Sequence, residues 1–266
     1  GPTTNPSYVL HDELLGWRYR PGAAVRHASA DFDVELRIGP TGFREQACLS
    51  ARAARILVLG DSLAFGWGVA GGQTCCARLE AELAVPVWNL GVSGYGTDQE
   101  YLLWREQVRS LDPVPRVVLV LYCPNDLEEV SRRVMYGKSK PYFAGQGDAL
   151  ELENVPVPYP WIERASHFYR SARRHWLERW QAPLDGESVT RARAVVVALY
   201  ARLAAEARPR GQNLVVVHTG EAWLADALTG AGILQVDLAP ALRAARQAPR
   251  SSRPRASTRP CWSGFA

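Results

Sequence analysis

Five short apolar runs, spaced by segments of helical pattern, constrain this chain more than anything else in it. They lie at 55–59, 86–90, 116–122, 213–218 and 233–237. Each is short for a helix and too continuous for a half-exposed strand. Such runs suit strands buried on both faces, with the intervening helices covering a parallel sheet. The segment before the fourth run shows the alternation most clearly. Ala192, Val195, Val196, Leu199 and Leu203 form one stripe at helical spacing, and Gly211 follows its end.

The expected fold is α/β: a flavodoxin-like three-layer sandwich around a five-stranded parallel sheet. At 266 residues and 47% hydrophobic content, the chain can bury one sizeable core. Residues 1–50 precede the first run as an N-terminal extension. In it Phe32–Ile38 alternates apolar and polar, and Gly39-Pro40-Thr41-Gly42 turns the chain. This predicts a small β appendage on the edge of the core. Residues 51–249 form the main domain. Within it 131–185 is an insertion rich in Pro and aromatics, among them Tyr136, Tyr142, Phe143, Tyr159, Trp161, Phe168, Tyr169, Trp176 and Trp180. It is either a satellite with its own small core or a wall over the site. From Arg250 to Ala266 no periodicity survives, which predicts a disordered basic tail.

The net charge of +4 comes from arginines scattered among acids, with Lys138 and Lys140 the only lysines. That is a solvated surface rather than a nucleic-acid footprint. The five cysteines (48, 75, 76, 123 and 261) show neither metal-ligand spacing nor a disulfide framework. No stretch reaches the length of a membrane span. The start Gly1-Pro2 resembles a protease-cleavage scar. A removed leader would leave the compartment undetermined, with an extracytoplasmic or membrane-anchored location favoured.

Chemistry in an open α/β sheet gathers at the carboxyl ends of its strands. The first run ends in Gly60-Asp61-Ser62, where Ser62 is either a helix N-cap or a nucleophile. The second leads into Asn89-Leu90-Gly91-Val92-Ser93-Gly94-Tyr95-Gly96, a loop whose backbone N–H groups can face a ligand, with Thr97-Asp98 as the expected helix cap. The third leads into Cys123-Pro124-Asn125-Asp126, which is either a turn with a cap or a source of one amide donor. Asp61 and Asp126 are assigned to loop structure. A hydroxyl, a backbone N–H and an amide N–H at neighbouring strand ends are the parts of an acyl-transfer site.

These blocks resemble the SGNH (GDSL-type) hydrolases. The likeness runs from about residue 8 to 245. It extends to Leu15-Gly16-Trp17, Thr41-Gly42-Phe43-Arg44 and Lys140-Pro141-Tyr142-Phe143, which look like one bacterial branch. The resemblance implies a serine-dependent acyl-ester hydrolase working through an acyl-enzyme. Ser62 would be the nucleophile. The N–H groups of Ser62 and Gly94 and the side chain of Asn125 would form the oxyanion hole. It calls for no cofactor and no metal, and for a small-molecule or glycan ester as substrate, with no nucleic-acid partner. The alternatives are a carbohydrate O-acyltransferase and a non-catalytic binding domain.

Two features depart from the family pattern. Cys123 stands where a glycine is usual, and the closing Asp-x-x-His is missing. None of His11, His27, His167, His175 and His218 has an acid three residues before it, and none follows residue 218. Three readings stand side by side: a frame-slipped or truncated ending, a domain that has lost its base, or a substitute histidine. His218, closing the fourth run, is the candidate substitute. Because the flanks of Ser62 are not Gly-x-Ser-x-Gly, the nucleophile elbow of α/β-hydrolases is disfavoured.

Overall fold

A computed structural model describes residues 8–45, 54–159 and 183–247. The apolar runs become five parallel strands: β5 (Ile56–Gly60), β6 (Val87–Asn89), β7 (Val117–Leu121), β12 (Asn213–His218) and β13 (Leu234–Asp237). Four antiparallel strands precede them: β1 (Val9–Asp12), β2 (Gly16–Tyr19), β3 (Ala24–Ala28) and β4 (Asp33–Arg37). Four short ones lie between β7 and β12: β8 (Val134–Met135), β9 (Lys138–Ser139), β10 (Tyr142–Ala144) and β11 (Glu151–Glu153).

The sheet order is β13-β12-β7-β5-β6. Counted from β5, this is the flavodoxin-like order 2-1-3-4-5. The chain winds first to one side of β5 and then to the other, so the topological switch point lies between β5 and β7. The register pairs Gly60 with Leu121 and Leu121 with Val217, which sets the three central strand ends level.

Both faces are covered, which makes the three layers. On one side lie α3 (Thr97–Val108), α5 (Gly186–Ala207) and α6 (Ala222–Gly230). Helix α5 buries the expected stripe, extended by Tyr200 and Ala207, and Asp185 caps its start by accepting from the Ser188 N–H at 2.7 Å. On the other side α1 (Ser62–Phe65) and α2 (Cys75–Leu83) bury Ala64 and Cys76 against Ile56, Val58 and Val87. Two further helices, α4 (Asp126–Val130) and α7 (Ala239–Gln247), follow β7 and β13.

The N-terminal hairpins share the main core rather than lying on its edge. Leu15, Trp17, Tyr19, Leu36 and Phe43 are buried in one cluster with Leu57, Leu59, Tyr95 and Trp104. Of the insertion, Phe143 and Leu150 join the same cluster, so its described part has no separate core. The remaining insertion aromatics from Trp161 to Trp180, together with His167, His175 and the tail, fall outside the described residues. Among the described residues no helix is long and apolar enough to cross a membrane.

Candidate active site

The first strand end is shaped by Gly60, which has φ +148°. A Cβ there would sit 2.7 Å from the Cβ of Ala64 and 3.2 Å from the Leu121 carbonyl oxygen. The sharp exit from β5 makes Asp61, not Ser62, the N-cap of α1. Asp61 Oδ1 accepts from the Leu63 N–H at 2.8 Å. The Ser62 hydroxyl is therefore not spent on capping. Its described partner is Asp61 Oδ2, to which it donates at 3.4 Å. Ser62 is the first residue of α1, so its own N–H belongs to the open N-terminal turn of a helix.

The glycine loop lies against α1. Asn89 Nδ2 donates to the Ala64 carbonyl at 2.7 Å, and the Val92 N–H donates to the Gly60 carbonyl at 3.0 Å. Gly94 has φ +80°, and a Cβ there would stand 2.6 Å from a ring carbon of Tyr136. Its N–H has no partner among the described residues. The β1–β2 hairpin braces this loop. The Ser93 N–H donates to the Tyr19 hydroxyl at 3.0 Å, Trp17 Nε1 donates to the Ser93 carbonyl at 3.3 Å, and the Tyr95 hydroxyl donates to the Trp17 carbonyl. Helix α3 begins one residue earlier than the sequence implies. Gly96 is its N-cap, and Asp98 turns inward to form a buried ion pair with Lys140.

The third strand end supplies Asn125. It stands at the N-cap position of α4, but its side chain makes no capping bond. Instead Nδ2 donates to Asp61 Oδ2 at 3.0 Å and to Glu129 Oε1 at 3.1 Å. The family departure at Cys123 has a structural account. Cys123 is not among the non-glycine residues with positive φ, so a glycine is not required there. Its buried thiol donates to Asp61 Oδ1 at 3.4 Å. Burial, then the charges of Asp126 and Asp61, push that thiol far up, which keeps it protonated as a donor. Asp61 thus ties the first strand end to the third and has the loop role expected of it.

Beneath these loops lies a set of buried acids that sequence reading missed. Glu129 is pushed up to about 8 by burial and the charge of Asp61, partly offset by hydrogen bonds from Tyr136 and Asn125. Glu100 and Asp126 are pushed well up by burial and by neighbouring acids. Both carboxyl oxygens of Glu100, Glu129 Oε2 and Asp126 Oδ1 lack partners among the described residues, surroundings that disfavour the charged form more than the neutral one. Lys140 enters this layer from the insertion. Its ammonium pairs with Asp98 and donates to the carbonyls of Glu129 at 3.0 Å and Pro141 at 3.2 Å. One signal could have found Glu129: it stands four residues after Asn125, one helical turn on. No group of three or more His, Cys, Asp or Glu arranged to hold a metal occurs among the described residues.

His218 is not brought to Ser62. It ends β12, which lies beyond β7 from β5, and two strand spacings put it roughly 9–10 Å across the sheet. Its Nδ1 accepts from the Gly220 N–H at 3.2 Å, so Nε2 carries the proton and faces Gln235 Oε1 at 2.9 Å. Both nitrogens are thus engaged at the β13 edge. His27 is buried against Trp67 and Phe32 in the N-terminal extension, and burial and Arg44 depress it to about 4. His11 stacks on Tyr159.

A doubly wound sheet with a serine at its switch point, beside a glycine loop and an asparagine, defines a class of flavodoxin-like α/β protein with polar groups gathered at its strand ends. The GDSL-like Lipase/Acylhydrolase family matches residues 58–252, and the chain belongs to that family. Family membership gives the chain a general acylhydrolase function, with small-molecule esters as the substrate class that the family implies. Among solved structures, a variant of the esterase AlinE4 is 16% identical, with a TM-score of 0.44 over 81% of this chain and 90% of that one. AlinE4 itself, an SGNH-hydrolase family esterase, is 15% identical, with a TM-score of 0.43 over 81% and 90%. TesA is 14% identical, with a TM-score of 0.43 over 79% and 91%. A comparison with curated proteins gives no match.

Proposed function

We propose that this acylhydrolase works through Ser62 as nucleophile and an acyl-enzyme. The observation that carries the reading is the uncapped hydroxyl of Ser62, with the backbone N–H groups of Ser62 and Gly94, after adjoining strands, without partners among the described residues. Ser62 Oγ attacks the ester carbonyl carbon, and the developing oxyanion takes hydrogen bonds from the two N–H groups and from Asn125 Nδ2. The carbon–oxygen bond to the alcohol breaks and the alcohol leaves with the serine proton. Water then cleaves the acyl-enzyme, releasing the acid and restoring the hydroxyl.

Among the described residues no histidine is bonded to Ser62, whose hydroxyl donates to Asp61 Oδ2. In a Ser-His-Asp enzyme, losing the base costs on the order of 10⁶ in turnover, whereas the oxyanion hole and binding keep about 10³–10⁴ over water. Without such a base, Ser62 would act as a slow nucleophile at an acyl site that keeps its donors. A second reading, a domain that binds esters without cleaving them, follows if no base reaches Ser62. Treatment with a p-nitrophenyl alkylphosphonate, followed by peptide mass mapping, separates the two. A slow, stoichiometric adduct at Ser62, absent in Ser62→Ala, is the expected outcome. A folded protein that gives no adduct supports the binding domain instead.

A further inference from the structure

The Asn125 amide has two hydrogens, and both are already placed, one on Asp61 Oδ2 at 3.0 Å and one on Glu129 Oε1 at 3.1 Å. Held this way, the amide has no hydrogen left for a substrate oxygen. Serving an oxyanion means releasing one. The bond to Asp61 joins the first and third strand ends, and breaking it would loosen the loop that carries Ser62. Each acceptor has a second donor, but that of Asp61 Oδ2 is the attacking Ser62 hydroxyl itself, at 3.4 Å, whereas that of Glu129 Oε1 is the Tyr136 hydroxyl, at 2.6 Å.

Tyr136 comes from the turn between β8 and β9, where it adopts φ +52°. A tyrosine seldom takes that left-handed conformation, and such strain is held in place only where the surroundings enforce it. Its ring lies against the Cα of Gly94, so that a Cβ there would be 2.6 Å from it. One side chain of the insertion thus touches the Gly94 donor directly and reaches the Asn125 donor through Glu129.

We infer that Tyr136 is a positioning residue that lets Glu129 yield the Asn125 amide to the oxyanion. As the amide N–H turns from Glu129 Oε1 to the substrate oxygen, the Tyr136 hydroxyl keeps that carboxyl oxygen hydrogen-bonded. The exchange then does not empty Glu129 Oε1, which would otherwise cost its desolvation. Without the hydroxyl, Glu129 Oε1 has the amide as its sole partner from this pair and holds it. The inference rests on Ser62 being the nucleophile.

The test is the second-order rate at which a p-nitrophenyl alkylphosphonate labels Ser62 in the intact chain. The serine oxygen bonds to phosphorus, p-nitrophenolate leaves, and the hydroxyl proton goes to solvent. Tyr136→Phe keeps the ring on Gly94 and is expected to label about tenfold more slowly, the rate equivalent of one hydrogen bond, with Tm lowered by no more than about 4 °C. Adding Glu129→Met removes the acceptor opposite the amide altogether and is expected to restore most of the rate. That rescue would not follow from a merely structural role. Parent-like labelling of Tyr136→Phe overturns the inference, as does a slow Tyr136→Phe that Glu129→Met fails to rescue. If the parent protein itself gives no adduct, the nucleophile reading falls and this inference with it.

Discussion

Gly94 has φ +80° with the Tyr136 ring against its Cα, so even a methyl group meets two obstacles at once. The left-handed backbone costs an alanine about 1–2 kcal/mol, and the ring must move as well. Gly94→Ala is expected to lower stability by at least that amount and to slow phosphonate labelling of Ser62 by tenfold or more. Denaturant titration and labelling kinetics measure the two effects on one sample. The same residue-scale logic explains what the sequence could and could not show about capping. Ser62 is a good N-cap type, yet Asp61 takes that role because Gly60 bends the chain one residue earlier. Local propensity names the residues that can cap. The backbone path chooses among them.

The elements around the site act as braces. The β1–β2 hairpin holds the glycine loop through Trp17 and Tyr19, and Lys140, between β9 and β10, holds the start of α3 through Asp98. Both Lys140 and Asp98 have fully buried side chains. Removing one partner of such a pair leaves the other charge uncompensated, at a cost of about 3–5 kcal/mol. Lys140→Met is therefore expected to lower the unfolding free energy by about that amount, read from urea melts at neutral pH. An unchanged midpoint would mean that the pair is not needed. These braces were not legible in the sequence as braces. The motif blocks containing Trp17 and Lys140 stood out, but their contacts join residues 76 and 42 positions apart.

Across the molecule, the buried acids tie stability to pH. Glu129 is raised from 4.5 to about 8, and Glu100 and Asp126 are raised as well. The folded state therefore holds protons that the unfolded chain releases above the ordinary carboxyl range. The stability these groups lend is complete below that range and is lost as pH rises through about 8. His27, depressed from 6.5 to about 4, opposes this trend only below pH 6.5. The urea midpoint is expected to fall steadily from about pH 6.5 to about pH 8.5, with Glu129→Gln flattening the slope. A midpoint that rises over this window would contradict the protonation assigned to these acids. At the same scale, cover thins toward one edge of the sheet: Leu234 and Val236 on β13 are 60% and 45% exposed, although they pair with Val215 and Val217.

The sequence alone determined the sheet and the three strand-end groups. Strand periodicity and helix spacing are local properties, and the position of a strand's carboxyl end follows from them. The five observed strands begin and end within a residue of the expected runs. Only the tertiary structure decided which side chains meet. It tied Ser62 and Asn125 together through Asp61, set Tyr136 against Gly94, and turned His218 toward Gln235 at the far edge of the sheet. The physical reason is that these contacts depend on strand order and on how the insertion folds back. Both are settled by burial summed over the whole core, and no local stretch of sequence encodes that sum.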